Sequence, residues 1–123
     1  MVIRSGRIEA FVGDADYPLE LKIKELRMLQ ATLNSGPSAV AERLQTGSWM
    51  VDDIIETIRL ALIGGGMAHA PAKLLTDNYV CAGYLVEYLP VALRCLFAAL
   101  VGDQEDQPDM GEPPAPTTET QEV

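Results

Sequence analysis

The chain has 123 residues, 48% of them apolar, and a formal net charge of −9, a composition that excludes a wholly disordered protein. The charge is uneven, because residues 103–123 hold seven of the 18 acids and none of the 9 bases. Since this acidity repels phosphate backbones, we expect no direct nucleic-acid binding.

The first predicted element is an antiparallel β-hairpin over about residues 7–23. Apolar residues alternate along Arg7–Val12 and again along Tyr17–Ile23, and turn-forming residues separate the two stretches. The apolar face of the hairpin consists of Ile8, Ala10, Val12, Leu19, Leu21 and Ile23. Because a lone hairpin is marginal in water, we expect helices to pack on this face.

Helices are predicted over about residues 24–101, where the apolar period changes from 2 to 3.6 residues. The first ends before Gly36, a short second one follows, and the third, the clearest, covers Val51–Ile63. A fourth begins at Pro71, and the last covers about Leu85–Val101 and is expected to be almost surrounded by protein. The predicted fold class is therefore α+β, an N-terminal antiparallel β-hairpin followed by a bundle of four to five helices.

We expect a single domain over residues 1–102 and a disordered, acidic, proline-rich tail over 103–123. No apolar period survives in the tail, so it cannot bury enough surface to order itself. The stretch Tyr79–Val101 is long enough to be tested as a membrane span. Glu87, Pro90 and Arg94 within it favour a buried helix of a soluble domain instead.

One set of residues could suggest a metal site or a nucleophile. His69, Cys81 and Cys95 have none of the spacings typical of zinc ligands, and no acid adjoins the histidine or either cysteine in sequence. We expect a solvated loop histidine and, for the two cysteines, small buried apolar residues in a reducing cytoplasm. The prediction is that the chain binds no metal and no cofactor, and that it has no catalytic residues.

Two further patterns have a structural and a chemical interpretation. Asp52, Asp53 and Glu56 could form a carboxylate cluster, but a solvated helix face is favoured, because the aspartates suit a first helical turn and Arg59 can pair with Glu56. Gly64-Gly65-Gly66 follows a helix instead of preceding one, so a helix cap or hinge fits better than a phosphate loop.

A surplus of apolar residues is the most informative signal for function. At 100° per residue, Leu60 falls opposite the core face of its helix, between Asp53 and Glu56. Such positions are either a second layer of core or a surface for a partner. On the second interpretation the candidate partner-binding residues are Leu60, Ile63, Phe97 and Val101.

The order of these elements resembles a known family over about residues 7–102. The segments that carry the resemblance are Ile8–Asp14, Tyr17–Leu21, Val40–Leu44, Val51–Gly66 and Leu96–Gly102. They resemble the tail assembly chaperones of tailed phages and gene transfer agents, small proteins encoded between the tail tube and tape measure genes and sometimes described as tail-tube-related. The acidic tail and Pro90 depart from that pattern.

The resemblance implies a non-enzymatic role in tail morphogenesis. Chaperones of this kind keep the long, apolar, helical tape measure protein soluble and help tail tube subunits polymerise around it, so these two proteins are the implied partners. The alternatives are a structural tail component retained in the particle and, more remotely, a small enzyme. We expect the protein in the cytoplasm of a bacterial host cell. The sequence leaves open whether it forms a homo-oligomer.

Overall fold

A computed structural model describes residues 6–102 of the chain. They open with an antiparallel hairpin in which β1 (Arg7–Val12) pairs with β2 (Ala15–Glu20) through a two-residue turn. Gly13 supplies the positive φ, 74°, that tight hairpin turns require. The predicted apolar face is confirmed by its buried side chains, which are Ile8, Val12 and Leu19.

Five α-helices follow the hairpin within the described residues. Their bounds are Ile23–Leu33 (α1), Pro37–Thr46 (α2), Val51–Gly64 (α3), His69–Leu75 (α4) and Leu85–Val101 (α5). A π-helical turn, Thr76–Val80, continues α4. The structure thus confirms an α+β fold with a hairpin before the helices. The predicted disordered tail, 103–123, lies outside the described residues.

Three predicted element boundaries were wrong, and the first of them is the start of the second strand, which lies at Ala15 instead of Tyr17. The second strand ends at Glu20, and Ile23 is exposed as the first residue of α1. The chain turns there because the Glu25 carboxylate accepts the Lys22 N–H at 3.2 Å and so satisfies a free donor at the helix start. α4 begins two residues before Pro71, which fits the first turn because N–H groups there have no intrahelical partner.

α3 is the centre of the molecule. It contacts β2, α1, α4, the π-helical turn and α5, and most of its side chains are therefore covered. The fully buried side chains of α3 include Ile54, Thr57, Ile58, Leu60, Ala61 and Leu62. They join buried residues of the hairpin and the other helices in one hydrophobic core.

The glycines that end α3 have a packing role that the sequence interpretation missed. A Cβ placed on Gly64 would collide with the Glu20 carbonyl oxygen, and one placed on Gly65 would collide with the Pro18 carbonyl oxygen. Neither residue has a positive φ, whereas Gly66 does, at 121°. The first two glycines therefore allow the end of α3 to lie directly against the backbone of β2.

Candidate protein-binding surface

One side of α5 carries apolar residues that the other described elements leave largely exposed. α5 packs against α2, α3 and both strands of the hairpin, and the side left over carries what we call the α5 stripe: Val86, Pro90, Leu93, Phe97 and Leu100, of which Leu93 is half-buried against the core. Their spacing of four and three residues places them along one line of the helix. Val86 is 61% exposed, Phe97 37% and Leu100 42%. A contiguous apolar strip of this kind is typical of a surface that binds another protein.

The prediction that α5 is almost surrounded by protein was wrong. Its buried residues, Ala92, Cys95, Leu96 and Ala98, lie on one side, and Leu100 is exposed. Only Glu87 and Arg94 break the apolar run of this helix. With so few polar residues, the sequence pattern does not show which side of α5 faces water.

The structure separates the four predicted partner-binding residues. Leu60 is 0% exposed, so its assignment to a partner surface was wrong, and the alternative of a second core layer is correct. Ile63 is half-buried against the core. Phe97 belongs to the α5 stripe, and Val101 is exposed at its C-terminal edge.

Leu60 was misplaced because its acidic neighbours on the helix do not mark a water-facing side. Asp53 is 1% exposed at its side chain and receives two hydrogen bonds from Arg43, at 2.8 and 2.9 Å. Glu56 pairs with Arg59 at 2.6 Å, as predicted. Because arginines neutralise both acids, this side of α3 can lie inside the protein.

The Arg43–Asp53 pair corrects the idea that Asp53 lies on a solvated face. Burial opposes the charged form of Asp53 and raises its pKa, but the hydrogen bonds from Arg43 and from the Met50 N–H outweigh burial and leave the pKa below 3.8. Arg43 also donates to the Ser35 hydroxyl at 3.2 Å. The pair adjoins a cavity of about 440 Å³ between α1 and the start of α3. Its charges are satisfied internally, so the arrangement is structural.

A second, smaller cavity of about 270 Å³ lies between the hairpin turn and α4. Its lining residues include Tyr17, Met67, Pro71, Leu74, Leu75 and Tyr79. Tyr17 donates a 2.7 Å hydrogen bond to Asp14, and the Tyr79 ring lies so close to Gly13 that a side chain there would collide with it. Leu74 lines this cavity and is exposed, and nothing in the local sequence pattern distinguishes it from a core leucine.

The residues considered for metal or thiol chemistry are His69, Cys81 and Cys95, and they do not form one site. Exposed His69 begins α4, so it is a helical residue and not the loop residue expected. Cys95 is buried as expected, and burial raises the pKa of its thiol to about 12. Cys81 is exposed, so its expected burial was wrong, and partial desolvation together with Asp77 raises its pKa. Both shifts oppose thiolate formation. Across residues 6–102, no three His, Cys, Asp or Glu side chains are grouped as ligands for a metal ion.

Among the same residues, no helix is both long enough and apolar enough to cross a bilayer.

Comparison with known proteins gives one match. A family model described as phage tail tube protein, GTA-gp10 matches residues 5–102, which is nearly the same span as the hairpin and the five helices. No curated protein and no solved structure matches the chain at a significant level.

Proposed function

The chain belongs to the family described as phage tail tube protein, GTA-gp10, and on that basis we propose that it is a non-enzymatic, protein-binding tail assembly chaperone. The family match supports a tail-related protein that takes part in tail morphogenesis or structure. The narrower role, holding an apolar tail protein until it assembles, rests on the surface of α5.

The observation that carries this proposal is the exposed apolar side of α5. Phe97 and Val101, near the C-terminal end of α5, expose aromatic and aliphatic surface to solvent. Covering an apolar side chain stabilises a complex by roughly 25 cal/mol per Å² removed from water. The partners that fit are the apolar helical tape measure protein and the tail tube subunits. Ile63, being half-buried, can contribute little to such contacts.

The second candidate is a structural component of the tail, which the family's description as a tail tube protein favours. Quantitative mass spectrometry of purified particles separates the two roles. A chaperone is expected to be absent or far below the tube protein in amount, whereas a structural subunit occurs in whole multiples of a ring. Particles that contain the chain in ring stoichiometry would remove the chaperone role.

The binding surface is tested by co-expression with the tape measure protein and the tail tube subunit. We expect Phe97→Asp to reduce capture of the tape measure protein tenfold or more, because 1.4 kcal/mol corresponds to one decade. Ile23→Asp is the matched control, since Ile23 is exposed at 63% on α1. Equal capture by the two variants and the unchanged protein would remove α5 from the proposed site.

The absence of catalysis and a location in the host cytoplasm belong to the same proposal. Assembly of a tail from newly made subunits takes place where those subunits are synthesised. Fractionation of producing cells is the direct measurement, and we expect the chain with the soluble proteins.

A further inference from the structure

We propose that the α5 stripe is also the contact between two copies of this chain, which pair about a two-fold axis with their α5 helices antiparallel. The pairing rests on the geometry of α5 and not on the proposed chaperone role. It identifies what covers this apolar surface when no tail protein is bound.

The spacing of the stripe suits a second helix of the same sequence. Residues separated by four, three, four and three positions form the seam that two packed helices share. In an antiparallel pair, Val86 lies opposite Phe97 of the second copy, and Pro90 lies opposite Leu93. Each large side chain thus meets a smaller one, and the same contacts recur on both sides of the axis.

The charges beside the stripe favour the antiparallel direction. Glu87 and Arg94 are seven residues apart and flank the stripe on the same side. Antiparallel helices bring equivalent flanking positions together, so Glu87 of each copy meets Arg94 of the other. In a parallel pair this side would face Leu89 and Leu96 instead. Arg94 is exposed, and its guanidinium donates to the Glu9 carbonyl of β1 at 3.5 Å.

The size of the surface sets the strength of the pairing. The stripe spans four helical turns, about 22 Å at 1.5 Å per residue. Leu100 extends it towards the turn before α5 of the second copy, where Tyr84 is 75% exposed. A contact this small lies at the weak end of specific interfaces, so we expect a dimer that forms in the micromolar range and dissociates on dilution.

The experiment is sedimentation equilibrium of the full chain over a concentration series. The unchanged protein is expected to pass from monomer to dimer, and Phe97→Asp to remain monomeric. Glu87→Arg and Arg94→Glu should each weaken the dimer roughly tenfold, because each turns two attractive charge pairs into repulsive ones. The double variant Glu87→Arg/Arg94→Glu restores opposite charges and should restore the dimer.

The controls keep folding and pairing apart. Ile23→Asp should dimerise like the unchanged protein, and circular dichroism must show each variant folded before its mass is interpreted. A chain that stays monomeric at every concentration overturns the pairing, as does a double variant that dimerises no better than the single ones. Capture of the tape measure protein is measured separately, so a monomer that still captures it would overturn the pairing alone and leave the proposed function standing.

Discussion

Arg43 and Asp53 depend on each other unequally, because the arginine is 23% exposed at its side chain and the aspartate only 1%. Removing Arg43 leaves a buried carboxylate with no cation beside it, which destabilises a protein by about 3–5 kcal/mol. Removing the charge of Asp53 leaves an arginine that water can still reach. We therefore expect Arg43→Met to lower the free energy of unfolding by about 3 kcal/mol, and Asp53→Asn by roughly half as much. Urea unfolding of the two variants measures both values, and equal losses would contradict the burial argument.

The same carboxylate predicts how stability depends on pH. The pKa of Asp53 is lower in the folded protein than the ordinary value, near 3.9, that it takes when unfolded. Its contribution is therefore fully present above the unfolded pKa and is lost as the pH falls through the lower, folded pKa. We expect the difference in stability between the unchanged protein and Asp53→Asn to shrink steadily below about pH 4. Urea titrations at several pH values give this difference, which would stay constant if Asp53 had no shifted pKa.

Leu60 offers a test of burial against exposure. Because it is fully buried, Leu60→Ala removes core contacts and should lower the free energy of unfolding by about 2–5 kcal/mol. Val86 is a matched control on the exposed side of α5, and Val86→Ala should stay within about 0.5 kcal/mol of the unchanged protein. Thermal or urea unfolding at a protein concentration low enough to keep the chain monomeric gives the comparison. A loss of unfolding free energy well below about 2 kcal/mol for Leu60→Ala would mean that this part of the core is loosely packed.

At the scale of elements, the contact of α3 with β2 depends on having no side chain at Gly65. Gly65 follows the last residue of α3 in a right-handed helical conformation, where alanine is normally no worse than glycine and inside a helix is better by about 1 kcal/mol, so propensity alone predicts that Gly65→Ala does little harm. The collision with the Pro18 carbonyl predicts the opposite, a net loss of more than about 1 kcal/mol. Gly36→Ser is the control, because nothing lies within 4 Å of its Cβ position and serine suits the start of a helix. Melting temperatures of both variants decide between propensity and contact.

Local sequence patterns predicted the helices and strands better than they predicted which side of each element is buried. The alternation of Ile8 and Val12 and the helical period around Ile58 are properties of neighbouring residues, so the hairpin and α3 could be predicted from the sequence. The burial of Leu60 could not be, because it depends on which distant elements pack on α3 and on an ion pair, Arg43–Asp53, whose two residues come from different helices. The exposed side of α5 was hidden for a related reason. Its core-facing and solvent-facing residues are similarly apolar. Which of them are buried depends on the elements that pack against α5 in the fold.

At the scale of the whole molecule, the described residues share one core around α3. β2, α1, α4 and α5 each bury side chains against that helix, so none of them can lose its place without exposing part of the core. A small domain built in this way is expected to unfold cooperatively. The candidate binding surface lies on the outer side of α5, opposite its buried residues. Changes to the α5 stripe should therefore alter association while leaving the cooperative unit intact.

The different exposure of the two cysteines allows the rate of local unfolding to be measured on the natural protein. Cys81 is exposed, whereas Cys95 is enclosed in the core with its thiol pKa raised to about 12. A thiol reagent should therefore react first with one equivalent, at Cys81, and with the second only when α5 leaves the core. In excess reagent the slow phase reports the rate of that opening, without any label or substitution. Two fast equivalents would show that α5 separates readily from α3, and Cys81→Ser assigns the phases.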